Sequence, residues 1–428
     1  MTMLPCLFGS CSLRPGTSAV QSSSDVSATD SASPLHVDIY IERSGSMSGY
    51  DAAGSDGRFK AAVMALLNAI PAESGEPSVH VVNDSIYEYP DGASRFLSDG
   101  DIFGATRGIG DASHTDFAAI FAALLGATKE NDLCIFVSDL IYSTETMEGV
   151  SAQKVFAEIR GMTQSVFRSP GDRMLLVARM TGGFDGRYYP YDGATGVQYS
   201  GDRPYYIIVS GSGRAMACLA GDVRYATLRN IAGISGYEWQ HLFAPSGTYS
   251  PRVTLLLSHP SIRGRFHAEH GSDDAVLAVE DVKAERGDSC VVLALAVDCR
   301  EMLVDDRYLA DVGNYEVESG SDVTVIGVER YDGKALSASD ARRAEGCTHV
   351  VLLAVNGPVK GRDVRVRLVN RLPQWIEEGS TDDDRDVHAA TFAVTTFGLR
   401  YLLGGIYDAY ANASGGQPYY YDVMIRIK

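Results

Sequence analysis

Between Leu35 and about Ser212, short apolar runs alternate with longer stretches whose apolar residues recur every three or four positions. The pattern predicts strands at 35–41, 79–83, 85–89, 132–138, 173–180 and 204–210, and helices at 58–70, 116–127, 151–167 and 213–230. In the second of these helices, Phe117, Ile120, Phe121, Leu124 and Leu125 share one face. Leu133 to Val137 and Met174 to Ala178 are continuously apolar, as strands buried on both faces are. Val79 to Val82, the pair Asn83-Asp84 and the run from Ser85 to Tyr89 predict a hairpin. That hairpin would add one antiparallel edge to a mostly parallel sheet. A Gly- and Tyr-rich insertion from Arg179 to Tyr205 predicts a second hairpin or a long loop. Its tyrosines would serve packing or act as binding anchors.

After Trp239 the period changes to two. Short strands are expected at 252–258, 274–280, 290–297, 323–329, 348–354, 363–369 and 420–427, the pattern of a β-sandwich. Leu399, Leu402, Leu403, Ile406, Tyr407 and Tyr410 form a helical stripe near the carboxyl end. This helix and the last strand are expected to pack on the β-rich half. The expected layout is a tail (1–34), an α/β domain with a Rossmann-like sheet sandwiched by helices (35–235) and a mostly-β domain with a C-terminal helix (240–428).

Candidate chemistry clusters where the first strand ends. Val37, Ile39 and Ile41 lead into Glu42-Arg43-Ser44-Gly45-Ser46, which sets a carboxylate and two hydroxyls at alternate positions. Open α/β sheets bind ligands at the carboxyl ends of their strands, and hard divalent cations prefer such oxygen donors. Two further segments complete the pattern: Gly110-Asp-Ala-Ser-His-Thr115 before a helix, and Leu133-Cys-Ile-Phe-Val-Ser138-Asp139 at the end of a buried strand. Together, over residues 35 to about 215, they resemble the metal-ion-dependent adhesion site (MIDAS) of von Willebrand factor A domains. The resemblance implies that Ser44, Ser46 and Thr115 bind Mg²⁺, or Mn²⁺ or Ca²⁺, and that the carboxylates at 42 and 139 act through water. Position 42 departs from the family, carrying Glu where the family has Asp.

Charge narrows the partners. With 55 acidic and 37 basic residues the net charge is −18, which argues against non-specific nucleic-acid binding and against charge-driven docking on anionic lipid. Residues 12–34 are too rich in Ser, Ala, Thr and Asp to bury a core. Phe8-Gly9-Ser10-Cys11 resembles a loose lipobox, which would make Cys11 a lipid-anchored residue of the cell envelope. A disordered amino terminus on a cytoplasmic protein is the alternative. The seven cysteines show no Cys-x-x-Cys pair and suggest no disulfide framework. His267 and His270 lack an evident third metal ligand, and the run Thr381 to Asp386 reads as a solvated loop or a calcium site.

Two functions are in view. One is a binding module, an adhesion or scaffold protein that captures a partner's carboxylate through the metal. The other is a metal-dependent hydrolase with His114 or Glu42 as base. The sequence contains no nucleophile elbow or P-loop and no second metal cluster, so the binding module is preferred.

Overall fold

The computed structural model describes residues 33–428, apart from 99–100, 127–128, 143–148, 193–194, 270–273, 289, 319–321, 334 and 358–360. Cys6, Cys11 and His270 lie outside the described residues.

The first half runs β1 (His36–Glu42), α1 (Arg58–Asn68), β2 (Ser78–Val82), β3 (Ile86–Glu88), α2 (Gly92–Ser98), α3 (Ile102–Ala105), α4 (Phe117–Gly126), β4 (Asp132–Ser138), α5 (Ala152–Val166), β5 (Met174–Tyr188), β6 (Val197–Gly211), α6 (Gly213–Gly221) and β7 (Tyr237–Phe243). Its seven strands form one sheet in the order β3-β2-β1-β4-β6-β5-β7. β1 lies near the centre and pairs in parallel with β2 and β4. The expected β2–β3 hairpin supplies an antiparallel edge. The other flank is antiparallel too, because the expected strands at 173–180 and 204–210 are the roots of one long hairpin. Its pairing runs from Met174↔Gly211 out to Tyr188↔Val197. So short a connection cannot make the crossover that parallel pairing requires.

Alternation along the central strands builds two cores. Val37, Ile39 and Ile41 of β1 join Phe59, Val63 and Leu66 of α1 in one. Tyr40 of β1 and Cys134 and Phe136 of β4 join α4 and α5 in the other. Helices therefore cover both faces, which is why the central strands read as continuously apolar.

The second half contains β8 (Val253–Leu256), β9 (Arg265–Ala268), β10 (Ala278–Lys283), β11 (Cys290–Val297), α7 (Asp306–Ala310), β12 (Tyr315–Glu318), β13 (Val323–Arg330), α8 (Ala338–Arg343), β14 (His349–Asn356), β15 (Arg362–Val369), α9 (Gln374–Glu378), β16 (Ser380–Thr381), β17 (Thr396–Phe397), α10 (Leu399–Ala413) and β18 (Tyr419–Ile427). Two sheets, β12-β15-β18-β10-β9 and β13-β14-β11-β8, make up the β-rich part. Leu293, Leu295 and Val297 of β11 share a core with Val364, Val366 and Leu368 of β15 and with Ile425 and Ile427 of β18.

Two placements differ from expectation. β7 pairs with β5, so the expected boundary at 235–240 meets the strand that completes the first sheet. The C-terminal helix does not pack on the sandwich. Leu399, Leu402, Leu403 and Ile406 of α10 are buried with Val155, Phe156 and Ile159 of α5. Tyr401 stacks on Phe156 at 4.0 Å, and Tyr410 donates to the Arg173 carbonyl at 2.8 Å. The stripe fixed which side of α10 is buried but not which surface buries it, and α5 offers a matching apolar face. Residues 34–428 accordingly form one compact unit. Among the described residues no helix is long and apolar enough to cross a membrane.

The helices meet closely at Gly405, where a Cβ would lie 2.0 Å from Thr163 Oγ1. Gly405→Ala is expected to destabilise by about 2 kcal/mol through overpacking, read as a lower urea midpoint at constant slope. Thr163→Ala in the same chain is expected to restore part of that loss. An unchanged midpoint in the single variant would count against the packing described.

Candidate metal centre

Strand register brings the two carboxylates together. β1 and β4 run parallel with Ile41 beside Val137, so Glu42 and Asp139 leave the same end of the sheet on adjacent strands. The loop after β1 is held by Arg43 N donating to the Val82 carbonyl (2.8 Å) and Gly45 N to the Ala112 carbonyl (3.0 Å). Thr115 is placed by its neighbour, since Asp116 N donates to the Asn83 carbonyl at 2.8 Å. Gly110 turns that loop at φ 63°, and a Cβ there would lie 2.3 Å from Asn83 Oδ1.

All five residues singled out in the sequence are buried at this edge: Glu42, Ser44, Ser46, Thr115 and Asp139. Thr115 Oγ1 donates to Glu42 Oε1 at 2.6 Å, and Ser138 Oγ donates to Glu42 Oε2. The Ser44 and Ser46 hydroxyls lie 3.0 Å apart. Ile141 N donates to Asp139 Oδ1 at 3.1 Å, while Asp139 Oδ2 is buried with no hydrogen-bond partner among the described residues. Leu140, between them, takes a left-handed φ of 55°. For a branched side chain this is strained backbone of the kind that gathers at functional sites.

Burial drives the electrostatics. Loss of solvation, then repulsion from Asp139, pushes the Glu42 carboxyl well above the usual range, against the Ser138, Thr115 and Ser44 hydroxyls that favour its ionised form. Desolvation likewise raises Asp139, opposed by the Ile141 amide, the nearby Ser46 hydroxyl and the Arg203 guanidinium.

A lid lies over the loop. The β5–β6 hairpin sets Phe184 against Gly49, where a Cβ would clash at 2.5 Å, and Tyr189 near Gly45, where a Cβ would lie 3.0 Å from the ring. Tyr188 Oη donates to Asp384 Oδ2 at 2.6 Å, and Tyr191 N to Asp384 Oδ1 at 3.1 Å. Arg203, 2% exposed, stacks on Phe392 (4.1 Å) and Tyr188 (4.8 Å) and donates to the Phe392 carbonyl. Desolvation pushes Asp384 up to about 6, with Arg203 and the Tyr188 hydroxyl opposing.

The donor set suits a hard cation. Two carboxylates and three hydroxyls converge, and one buried carboxylate oxygen lacks a partner; a cation would offset both the repulsion and the orphaned atom. Among the described residues no group of three or more His, Cys, Asp and Glu side chains is arranged for a metal, so hydroxyl oxygens would have to make up most of the donor set. The run from 381 to 386 is not uniformly solvated. Asp384 is buried, while Asp382 and Asp383 pair with Arg400 and Arg385. His114 places Nδ1 3.3 Å from the Ser113 hydroxyl. Cys134, Cys218, Cys290, Cys299 and Cys347 are free.

Ser138, Arg203 and Asp384 escaped sequence reasoning. Ser138 precedes Asp139 and could have been suspected as its neighbour on the same strand end. Arg203 and Asp384 lie 181 residues apart in sequence and carry no local signal.

No family model matches this chain, and neither a curated protein nor a solved structure matches it.

Proposed function

We propose that this protein is a metal-dependent binding module of the von Willebrand A type, holding Mg²⁺, Mn²⁺ or Ca²⁺ at Ser44, Ser46, Thr115 and Asp139 and capturing a carboxylate from a protein partner. The observation that carries this reading is the buried, unpartnered Asp139 Oδ2 beside Glu42. When bound, the cation supplies a Lewis-acidic position for an incoming carboxylate. Glu42 acts by orientation. It takes the hydrogen of the Thr115 hydroxyl and leaves that oxygen's lone pairs for the cation. Glu42 is not swung aside, because both its oxygens accept from hydroxyls. The preference for binding over hydrolysis rests on the sequence, which holds no nucleophile elbow and no second metal cluster.

Metal is expected to raise thermal stability, by about 2.7 kcal/mol once free cation reaches a hundred times its Kd. The pH dependence has a definite sign. Both carboxyls have raised folded-state pKa values, so the folded chain holds protons that the unfolded chain releases above the ordinary carboxylate range. Metal-free stability therefore falls as pH rises from there toward the raised values. Cation binding needs the ionised forms, so the metal-induced shift grows over the same interval. Differential scanning fluorimetry at about pH 6 and about pH 8, with and without each cation, measures both trends. Ser44→Ala and Asp139→Asn are expected to abolish the shift. On a resin carrying the protein, partner retained in Mg²⁺ should elute with EDTA and be lost with Ser44→Ala. A wild-type protein without any cation-dependent shift would end this reading.

A further inference from the structure

The turn that joins β2 to β3 is bonded to both loops of the candidate metal centre. Asn83, Asp84 and Ser85 make it up, with Val82 opposite Ile86 at its base, and all three are residue types that favour turns. None of them is among the proposed ligands. Asn83 is nonetheless fully buried.

The bonds run to each side. Toward the first loop, the Val82 carbonyl accepts from Arg43 N at 2.8 Å, next to Ser44. Toward the second, the Asn83 carbonyl accepts from Asp116 N at 2.8 Å, next to Thr115. Asn83 Nδ2 donates to the Ile109 carbonyl at 2.8 Å, and Asp84 Oδ1 accepts from Asp111 N at 2.7 Å. The turn is pressed onto Gly110, where a Cβ would lie 2.3 Å from Asn83 Oδ1 and 2.6 Å from Asp84 Oδ1. Asn83 Oδ1 is itself buried without a hydrogen-bond partner among the described residues. An unpaired buried acceptor costs stability, so stability alone does not account for an asparagine at this position.

We infer that Asn83 and Asp84 are positioning residues that set the distance between Thr115 on one loop and Ser44 and Ser46 on the other, and with it the size of cation the site accepts. The inference rests on the metal-binding reading above. Mg²⁺ demands near-octahedral oxygens at about 2.0–2.1 Å, whereas Ca²⁺ takes less regular sets at about 2.3–2.6 Å. The Ser44 and Ser46 hydroxyls, 3.0 Å apart, already have the spacing of adjacent octahedral ligands about 2.1 Å from one centre. A clamp bonded to both loops keeps the third hydroxyl in register with that pair. Loosening the clamp therefore costs Mg²⁺ more than Ca²⁺.

The test is calorimetric titration of the full chain with MgCl₂ and, separately, with CaCl₂. Wild type is expected to bind Mg²⁺ more tightly. Asn83→Ala is expected to weaken Mg²⁺ about tenfold or more, the usual effect of removing a group behind a metal ligand, and Ca²⁺ by less. Asp84→Ala, at a half-buried position, should lower the Mg²⁺/Ca²⁺ affinity ratio in the same way, and remains a test if Asn83→Ala fails to fold. Asp84→Asn keeps an acceptor for Asp111 N. Its lost charge acts on both ions alike, so the wild-type ratio should persist. Gly405→Ala loosens the α5–α10 contact instead and should leave both affinities unchanged, which separates positioning from a general loss of stability. A wild-type ratio in both alanine variants, an equal fall in Gly405→Ala, or no Mg²⁺ preference in wild type would overturn the inference while leaving the metal site standing. A wild type that binds neither ion would overturn both.

Discussion

Arg203→Met is expected to lower stability by about 3–5 kcal/mol, the usual cost of removing one partner from a buried set of charges. The guanidinium favours the ionised forms of both Asp139 and Asp384 and joins the hairpin lid to the segment around Phe392, through Tyr188, the Phe392 ring and the Phe392 carbonyl. Methionine fills part of the space but leaves two desolvated carboxyls without that charge, and an acceptor without its donor. The loss should be smaller in mild acid, where both carboxyls carry protons, and should grow as pH rises through about 6, the value to which Asp384 is pushed. Arg203→Lys should not rescue it, because an ammonium lacks the planar fork that stacks between two rings. Adding Asp384→Asn to Arg203→Met should recover part of the loss. Urea unfolding across pH measures each effect, and a cost below about 1 kcal/mol at neutral pH would contradict this account of Arg203.

Truncation after Val394 is expected to abolish cooperative folding altogether. The cut removes β17, α10 and β18. β18 is an interior strand, antiparallel to β15 on one side and parallel to β10 on the other. α10 covers the buried face of α5. Both halves therefore lose core at once. The truncated chain should bind a hydrophobic dye and show no sigmoidal urea transition. A soluble truncate with a cooperative transition would refute this picture of the carboxyl end.

The first sheet was largely legible because its signals are local. The apolar run of β4 and the alternation in β1 placed those strands almost to the residue, and the two strand ends then located Glu42, Ser44, Ser46 and Asp139. Thr115 followed from the glycine-containing turn before α4. What failed was long-range. The stripe on α10 could not say whether α5 or the sandwich would cover it. Tyr188 and Arg203 sat in an insertion read as a hairpin or long loop, and nothing in it pointed to Asp384, to which Tyr188 donates and which was read as part of a charged loop. Pairings that depend on shape between distant segments leave no period to read. β7 was missed because its apolar and aromatic residues, Tyr237, Trp239, Leu242 and Phe243, keep no strict alternation and fall at the expected domain boundary.

The docking of α10 on α5 also sets the order in which the nascent chain can mature. The Arg160–Asp408 contact between these helices spans 248 residues. At ordinary translation speeds roughly 12–50 s pass between the synthesis of its two ends. During that interval the outer face of α5, with Val155, Phe156 and Ile159, emerges from the ribosome without its cover. The α/β half cannot close its second core while the β-rich half is still being made. Until the final helix arrives that face of α5 stays exposed, and premature termination anywhere in the β-rich half leaves an unfinished α/β half as well.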